Sequence, residues 1–351
     1  MSSPWQDLSA FVHDQWSRLR VRGARNQLRE DAIRNAIERA VELANPRIRG
    51  LNGYRRLLRE PIARCLDYSE ELARRVPGPV RLNRQTWSED ALLNSLFADP
   101  SRIRWAVSSS DCRDYMGKTA LMTGDCYAIL LALPVFRHQL GIELNGDTLQ
   151  RDIAQTTLSF DNIEVILAAG NPETVRAKTA GAIMDALVEF AAQEIGRQQA
   201  RIEELQESLR IVRIKQKVVS PLSHGLEILR EDAAAHTTEY QIIGNEIKDL
   251  ERALAAAHQG LATLNDYLDR FAALLRTPET LIAARPERTR LDRMNVVRQE
   301  REEDPQSAEI EYLRAYHGER AGRMVLMVRF ARAELVSDQE RLTQVERFFS
   351  A

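Results

Sequence analysis

The chain has 351 residues, 44% of them hydrophobic and 28% charged, with 49 Lys plus Arg against 51 Asp plus Glu. Such a chain is long enough for two or three packed units. Its near-balanced charge excludes a polyanion or membrane partner recruited by bulk charge alone.

No basic region leads into an apolar run at the start, and no stretch approaches the roughly 18 apolar residues of a membrane span. Cys65, Cys112 and Cys126 are odd in number and far apart, with no C-x-x-C. Buried free thiols in a reducing compartment, and hence a cytoplasmic protein, are expected.

Residues 1 to about 105 read as helical. Leu8, Val12, Trp16 and Leu19 make one helix face, and Leu28, Ile33, Ile37 and Val41 a second, ending near Asn45-Pro46. Tyr54, Leu58, Ile62, Cys65, Leu72 and Val76 mark a third region, which Pro61 is expected to restart or kink. Ser88 is the expected N-cap of a short helix over "EDALLNSLF".

From about residue 125 the pattern turns β-rich. Three or four antiparallel strands are expected between 126 and 169. A type I′ turn centred on Asn145-Gly146 would pair Ile142 with Leu149.

Asn171-Pro172-Glu173 then starts a helix, with a capping Asn, Pro at the first position and an acid after it. Two long helical arms follow. The first carries Ile202, Leu205, Leu209, Val212 and Gln216; the second carries Ile243, Ile247, Leu250, Leu254, Ala257, Leu261, Leu264, Leu268, Phe271 and Leu275. Steps alternating three and four residues make a heptad seam. The two arms are expected to close an antiparallel hairpin across Pro221 and Gly225, with self-association between chains as the alternative.

Strand patterns return after Thr277-Pro278, with a hairpin about "HGERAG". Ser337 and Glu340 fit a capping box for a last helix.

The expected fold is therefore α+β. It has a helical unit over 1–110 and an antiparallel sheet or small barrel over 125–170 plus 278–351 with a C-terminal helix. A coiled-coil hairpin over 171–277 is inserted between the two strand groups.

Chemical motifs are sparse. Gly117-Lys118-Thr119 lacks the glycine-rich turn of a phosphate loop, since Cys112 stands where its first Gly belongs. His13, His138, His224, His236, His258 and His317 show no metal-site spacing, and "EREED" reads as a solvated loop. No catalytic residue, cofactor or metal is expected.

Two surfaces stand out. Val218, Val219, Leu222, Leu226, Ile228 and Leu229 gather at the hairpin tip and are the candidate partner-binding residues. Residues 1–105 hold 19 Arg and no Lys against 13 acids, a net of +6. Arg18, Arg20, Arg22, Arg25, Arg29, Arg55 and Arg56 are the candidate polyanion contacts.

The leading expectation is a non-enzymatic scaffold or adaptor working through the hairpin, with a protein partner or a second copy of itself. A polyanion or nucleic-acid binder using the arginines is the alternative. An enzyme whose site one sequence cannot expose is the third.

Overall fold

The computed structural model describes residues 27–118, 124–145, 148–219, 233–258, 261, 263–298, 307–318, 320–337 and 340. The helices are α1 (27–44), α2 (Tyr54–Arg75), α3 (Ala91–Leu96), α4 (Pro100–Val107), α5 (Ser110–Lys118), α6 (Pro172–Val219), α7 (Ala233–His258), α8 (Leu264–Leu275) and α9 (Pro278–Leu281). The strands are β1 (Val80–Arg81), β2 (Cys126–Asn145), β3 (Thr148–Ala169), β4 (Ala283–Leu291), β5 (Val297–Arg298), β6 (Ala308–Tyr316) and β7 (Arg323–Phe330). Strands before and after the long hairpin join one sheet, so the expected α+β layout is observed. The chain forms two compact units, 1–65 with 185–277 and 66–184 with 278–351.

The sheet belongs to the second unit, in the order β3-β2-β7-β6-β4-β5. Its pairs are antiparallel, apart from the two-residue β1 lying parallel to β7 with Val80 opposite Val328. The sheet is open. One isolated bridge, Thr157 to Val296, links β3 to the residue before β5, and the Leu158 N–H donates to the Asn295 carbonyl at 2.9 Å beside it.

Both faces of the central strands are covered, which explains why β2 and β7 read as continuous apolar runs rather than alternating ones. Cys126, Ala128, Leu130 and Ala132 of β2, with Met324, Leu326, Val328 and Phe330 of β7, face a core shared with α3, α4 and α5. Ile129 and Met327 face the other way, onto Val76 and Val175.

The expected three or four strands between 126 and 169 are two, of 20 and 22 residues. The reason is local. The β2–β3 pairing slips three times, and each slip carries a β3 residue at positive φ: Asp152 at 62°, Asn162 at 51° and Leu167 at 60°. Each extra residue is absorbed as a bulge, so polar residues that look like strand ends bend one long strand instead. The hairpin register also differs from expectation. Asn145 pairs with Thr148, Leu144 with Leu149, and Ile142 with Arg151 rather than with Leu149. Pro134 lies just past Ala132, where β7 stops flanking β2, so its missing N–H breaks no central ladder.

Helix ends follow side-chain chemistry. Asp90, not Ser88, caps α3 by accepting the Leu92 and Leu93 N–H groups at 3.0 and 3.2 Å. Its carboxylate sits nearer the first apolar turn and is the stronger acceptor. Pro61 neither restarts nor ends α2, which runs through it with one ladder bond fewer. Asn171 caps α6 as expected, accepting the Thr174 N–H at 2.8 Å.

In the first unit, Ile33, Ile37 and Val41 of α1, Leu58, Ile62 and Cys65 of α2, and Phe271 and Leu275 of α8 are buried. The Cys65 thiol donates to the Leu275 carbonyl at 3.1 Å, and Arg39 pairs with Asp185 at 2.5 Å. The second arm is not one helix. After α7 ends, Thr263 opens α8 with a capping box to Asp266. Leu261 therefore falls between two helices and the seam is interrupted there. Thr263 supplies the donor-satisfying restart.

Candidate functional site

The arm of α6 and α7 is built on a small apolar seam. Leu209 and Val212 of α6 pack with Ile243 and Ile247 of α7, flanked by Leu250 and Leu254. Ile202 and Leu205 continue the buried row on α6. Rising numbers on α6 meet falling numbers on α7, so the arms are antiparallel. Arg213 ties to Glu251 at 2.6 Å outside the seam, and Gln206 meets His258 at 3.2 Å. The pair with Glu251 is exposed on both sides and adds at most about 1 kcal/mol. Burial of the four central apolar side chains stabilises the arm more, by roughly 1.5–3 kcal/mol each.

The opposite side of α6 is also apolar near its end. Ile211, Ile214 and Val218 are 45, 54 and 66% exposed. They follow one another at three and four residues, two positions out of phase with the seam, so they form a ridge facing water. Of the predicted tip residues, Val218 is the one this ridge includes. Val219 ends α6; Leu222, Leu226, Ile228 and Leu229 lie outside the described residues, as do His224 and "EREED". Ile211 and Ile214 were missed, although their spacing alongside Val218 is readable once the seam positions are fixed.

Arg18, Arg20, Arg22 and Arg25 also lie outside the described residues. Arg29, Arg55 and Arg56 are exposed on α1 and α2. Arg55 donates to Glu38 at 2.8 Å and sits 5.4 Å over the Tyr54 ring; the bond to Glu38 raises its pKa further. Arg49 pairs with Glu38 and Glu42, Arg39 with Asp185, and Arg59 with Glu30. These helices thus answer much of their own charge.

Two polar clusters in the second unit could suggest chemistry. In one, Glu287 of β4 accepts from Tyr312 at 3.0 Å, Tyr316 at 2.8 Å and Arg314 at 3.3 Å, all on one face of β6. Burial first, then the carboxylate, push the Tyr312 phenol up. Arg314 also donates to the Gly322 carbonyl at 3.2 Å. Each group's hydrogen bonding goes to a strand neighbour, which ties β4, β6 and the following turn together.

The other cluster surrounds the bulge at Leu167. Asp111 accepts the Ala168 N–H at 3.1 Å, and Lys178 donates to the Ala168 carbonyl at 2.6 Å. Both side chains restore bonds that the bulge removes from the ladder.

Cys112 and Cys126 are buried and free, as is Cys65. Burial pushes the Cys112 thiol up to about 11 and the Cys126 thiol up to about 12. Gly117 and Lys118 end α5 rather than opening a phosphate loop. His138 contacts the Thr156 hydroxyl at 2.9 Å, and His317 the Leu281 carbonyl at 2.9 Å. Among the described residues no three His, Cys, Asp or Glu side chains converge on a metal position, and no helix is long and apolar enough to cross a membrane.

No protein-family model, curated protein or solved structure matches the chain.

Proposed function

We propose that the protein is a non-enzymatic cytoplasmic scaffold or assembly protein that acts through its coiled-coil hairpin. One observation carries this reading: the arm is apolar on two opposite sides of α6. The inner row, through Leu209 and Val212, is consumed by α7. The outer row, Ile211, Ile214 and Val218, is presented to solvent. A helix that needs only to fold keeps one apolar stripe. A second stripe of β-branched residues on the solvent face is a docking surface.

The polyanion reading gains less support, because Arg39, Arg49, Arg55 and Arg59 are engaged with neighbouring acids. The two polar clusters are likewise spent on backbone and strand neighbours, which lends the enzyme reading no support.

Affinity capture from a cell extract tests the proposal, using the full chain and the I211S/I214S/V218S variant, with circular dichroism confirming that the variant folds. A defined partner retained at moderate salt by the full chain, and lost by the variant, is the expected result. Equal capture by both chains would overturn it, and capture that collapses steeply with salt would point to polyanion binding instead.

A further inference from the structure

We infer that the end of the sheet where β1 meets β7 is a binding site for a small phosphorylated ligand, separate from the arm of α6 and α7. Tyr127 of β2, Arg329 of β7 and Arg81 of β1 stand side by side, since Arg329 is the register partner of both others. The pair before it, Val80 and Val328, packs into the core shared with α3, α4 and α5. Alternation therefore turns the row to the opposite face, where Met327 and Tyr127 join the second core. Arg81 is exposed, and Arg329 and Tyr127 are half-buried. Neighbouring strands lie about 4.8 Å apart, so three donating side chains front a strip roughly 10 Å long.

Among the described residues neither guanidinium forms an ion pair, although Asp125 lies two positions before Tyr127. The Arg329 Nε is buried and has no hydrogen-bond partner. Cations nearby are spent. Arg176 donates to the Ala73, Arg74 and Val76 carbonyls, Lys178 donates to the Ala168 carbonyl, and Arg84 pairs with Glu334. Like charges set opposite each other on paired strands repel, and a buried N–H without an acceptor costs stability. One dianion between the two forks removes both penalties. Each guanidinium presents parallel N–H groups that match phosphate oxygens, and the Tyr127 hydroxyl adds a neutral donor. A carboxylate would neutralise one of the two charges, whereas a phosphate dianion neutralises both. α6 begins at the same end of the sheet. Only Gly170 and Asn171 separate it from Ala169, the β3 partner of Tyr127, and Val175 in its first turn shares a buried cluster with Ile129 and Met327. The positive end of its dipole adds to the field there.

Equilibrium dialysis of the full chain against radiolabelled inorganic phosphate tests this, at fixed ionic strength and about pH 8, where the probe is a dianion. Uptake should saturate with a Kd on the order of 1 mM or below. Arg81→Gln and Arg329→Gln should each weaken it about tenfold or more. Arg285→Gln, which removes an exposed arginine from β4, should leave it unchanged. Acetate should compete at least about tenfold more weakly than unlabelled phosphate.

A melting series separates ligand binding from a purely structural role, with circular dichroism confirming that each variant folds. Arg81→Glu gives Arg329 a partner within the chain. In phosphate-free buffer it should therefore melt above wild type, while taking up no phosphate. Added phosphate should raise the wild-type midpoint and leave that of Arg81→Glu where it was. No saturable uptake up to roughly 20 mM, uptake undiminished in both glutamine variants, acetate competing as well as phosphate, or an Arg81→Glu chain that melts no higher than wild type would each overturn the inference. The hairpin reading rests on other elements and is untouched by any of these outcomes.

Discussion

The Gln198 side chain, on the seam side of α6 between Ile195 and Ile202, donates to the Ala257 carbonyl at 3.3 Å. Ala257 is one residue from the end of α7, where the last four carbonyls lack helical partners. A polar residue between the buried Ile195 and Ile202 thus marks where the second arm breaks. Gln198→Ala should cost about 1 kcal/mol in urea unfolding and speed amide exchange in the last turn of α7. Unchanged exchange there would show that the bond does not hold the helix end.

Asn162 tests the bulge account of β3. It is exposed and its φ is 51°, a conformation that β-branched residues resist. Asn162→Val should destabilise by roughly 1–2 kcal/mol, while Asn162→Gly should stay within about 0.5 kcal/mol of wild type. Equal midpoints for the two variants would remove the conformational argument.

Acid sensitivity should trace partly to Glu340. The hydrogen bond from Arg104, then those from Ser337, hold its carboxyl at about 2, well below its ordinary value near 4.5. The folded value is the lower one, so its contribution is complete above about pH 4.5 and is lost as pH falls from there toward 2. Thermal melts should therefore show Glu340→Gln less stable than wild type at pH 7, with the gap closing on acidification. A gap that is constant with pH would contradict this linkage.

The elevated Cys112 and Cys126 thiols are neutral near pH 8. Iodoacetamide at that pH should label neither in the native chain within minutes and both in denaturant. Labelling of Cys112 or Cys126 at the rate of a free thiol in the native chain would contradict their burial.

These features differ in how far the sequence exposes them. The start of α6 is written in three consecutive residues, Asn171, Pro172 and Glu173, and its seam in a fixed spacing, so both are readable. The break before α8 is also present, as the Thr263–Asp266 box. It is hidden because Leu261 happens to continue the heptad across it. The bulges of β3 are harder: Asp152 and Asn162 favour turns and bulges alike, and only the partner strand decides between them. The Glu287 cluster depends on Glu287 lying opposite Tyr312 in the β4–β6 register, and nothing local in the chain fixes that register. The outer ridge of α6 is overlooked for a simpler reason. Val218 reads as part of an apolar tip until the inner row is assigned, after which Ile211 and Ile214 fall into phase with it.

The antiparallel seam within one chain is tested most directly by V212C/I243C, which places two cysteines at buried positions of the same cluster. Isotopically light and heavy chains are mixed, oxidised mildly and read by mass spectrometry. Disulfides joining light to light and heavy to heavy within single chains are the predicted result. Bonds found mainly between light and heavy chains, or none at all under conditions that oxidise an unfolded control, would contradict the account.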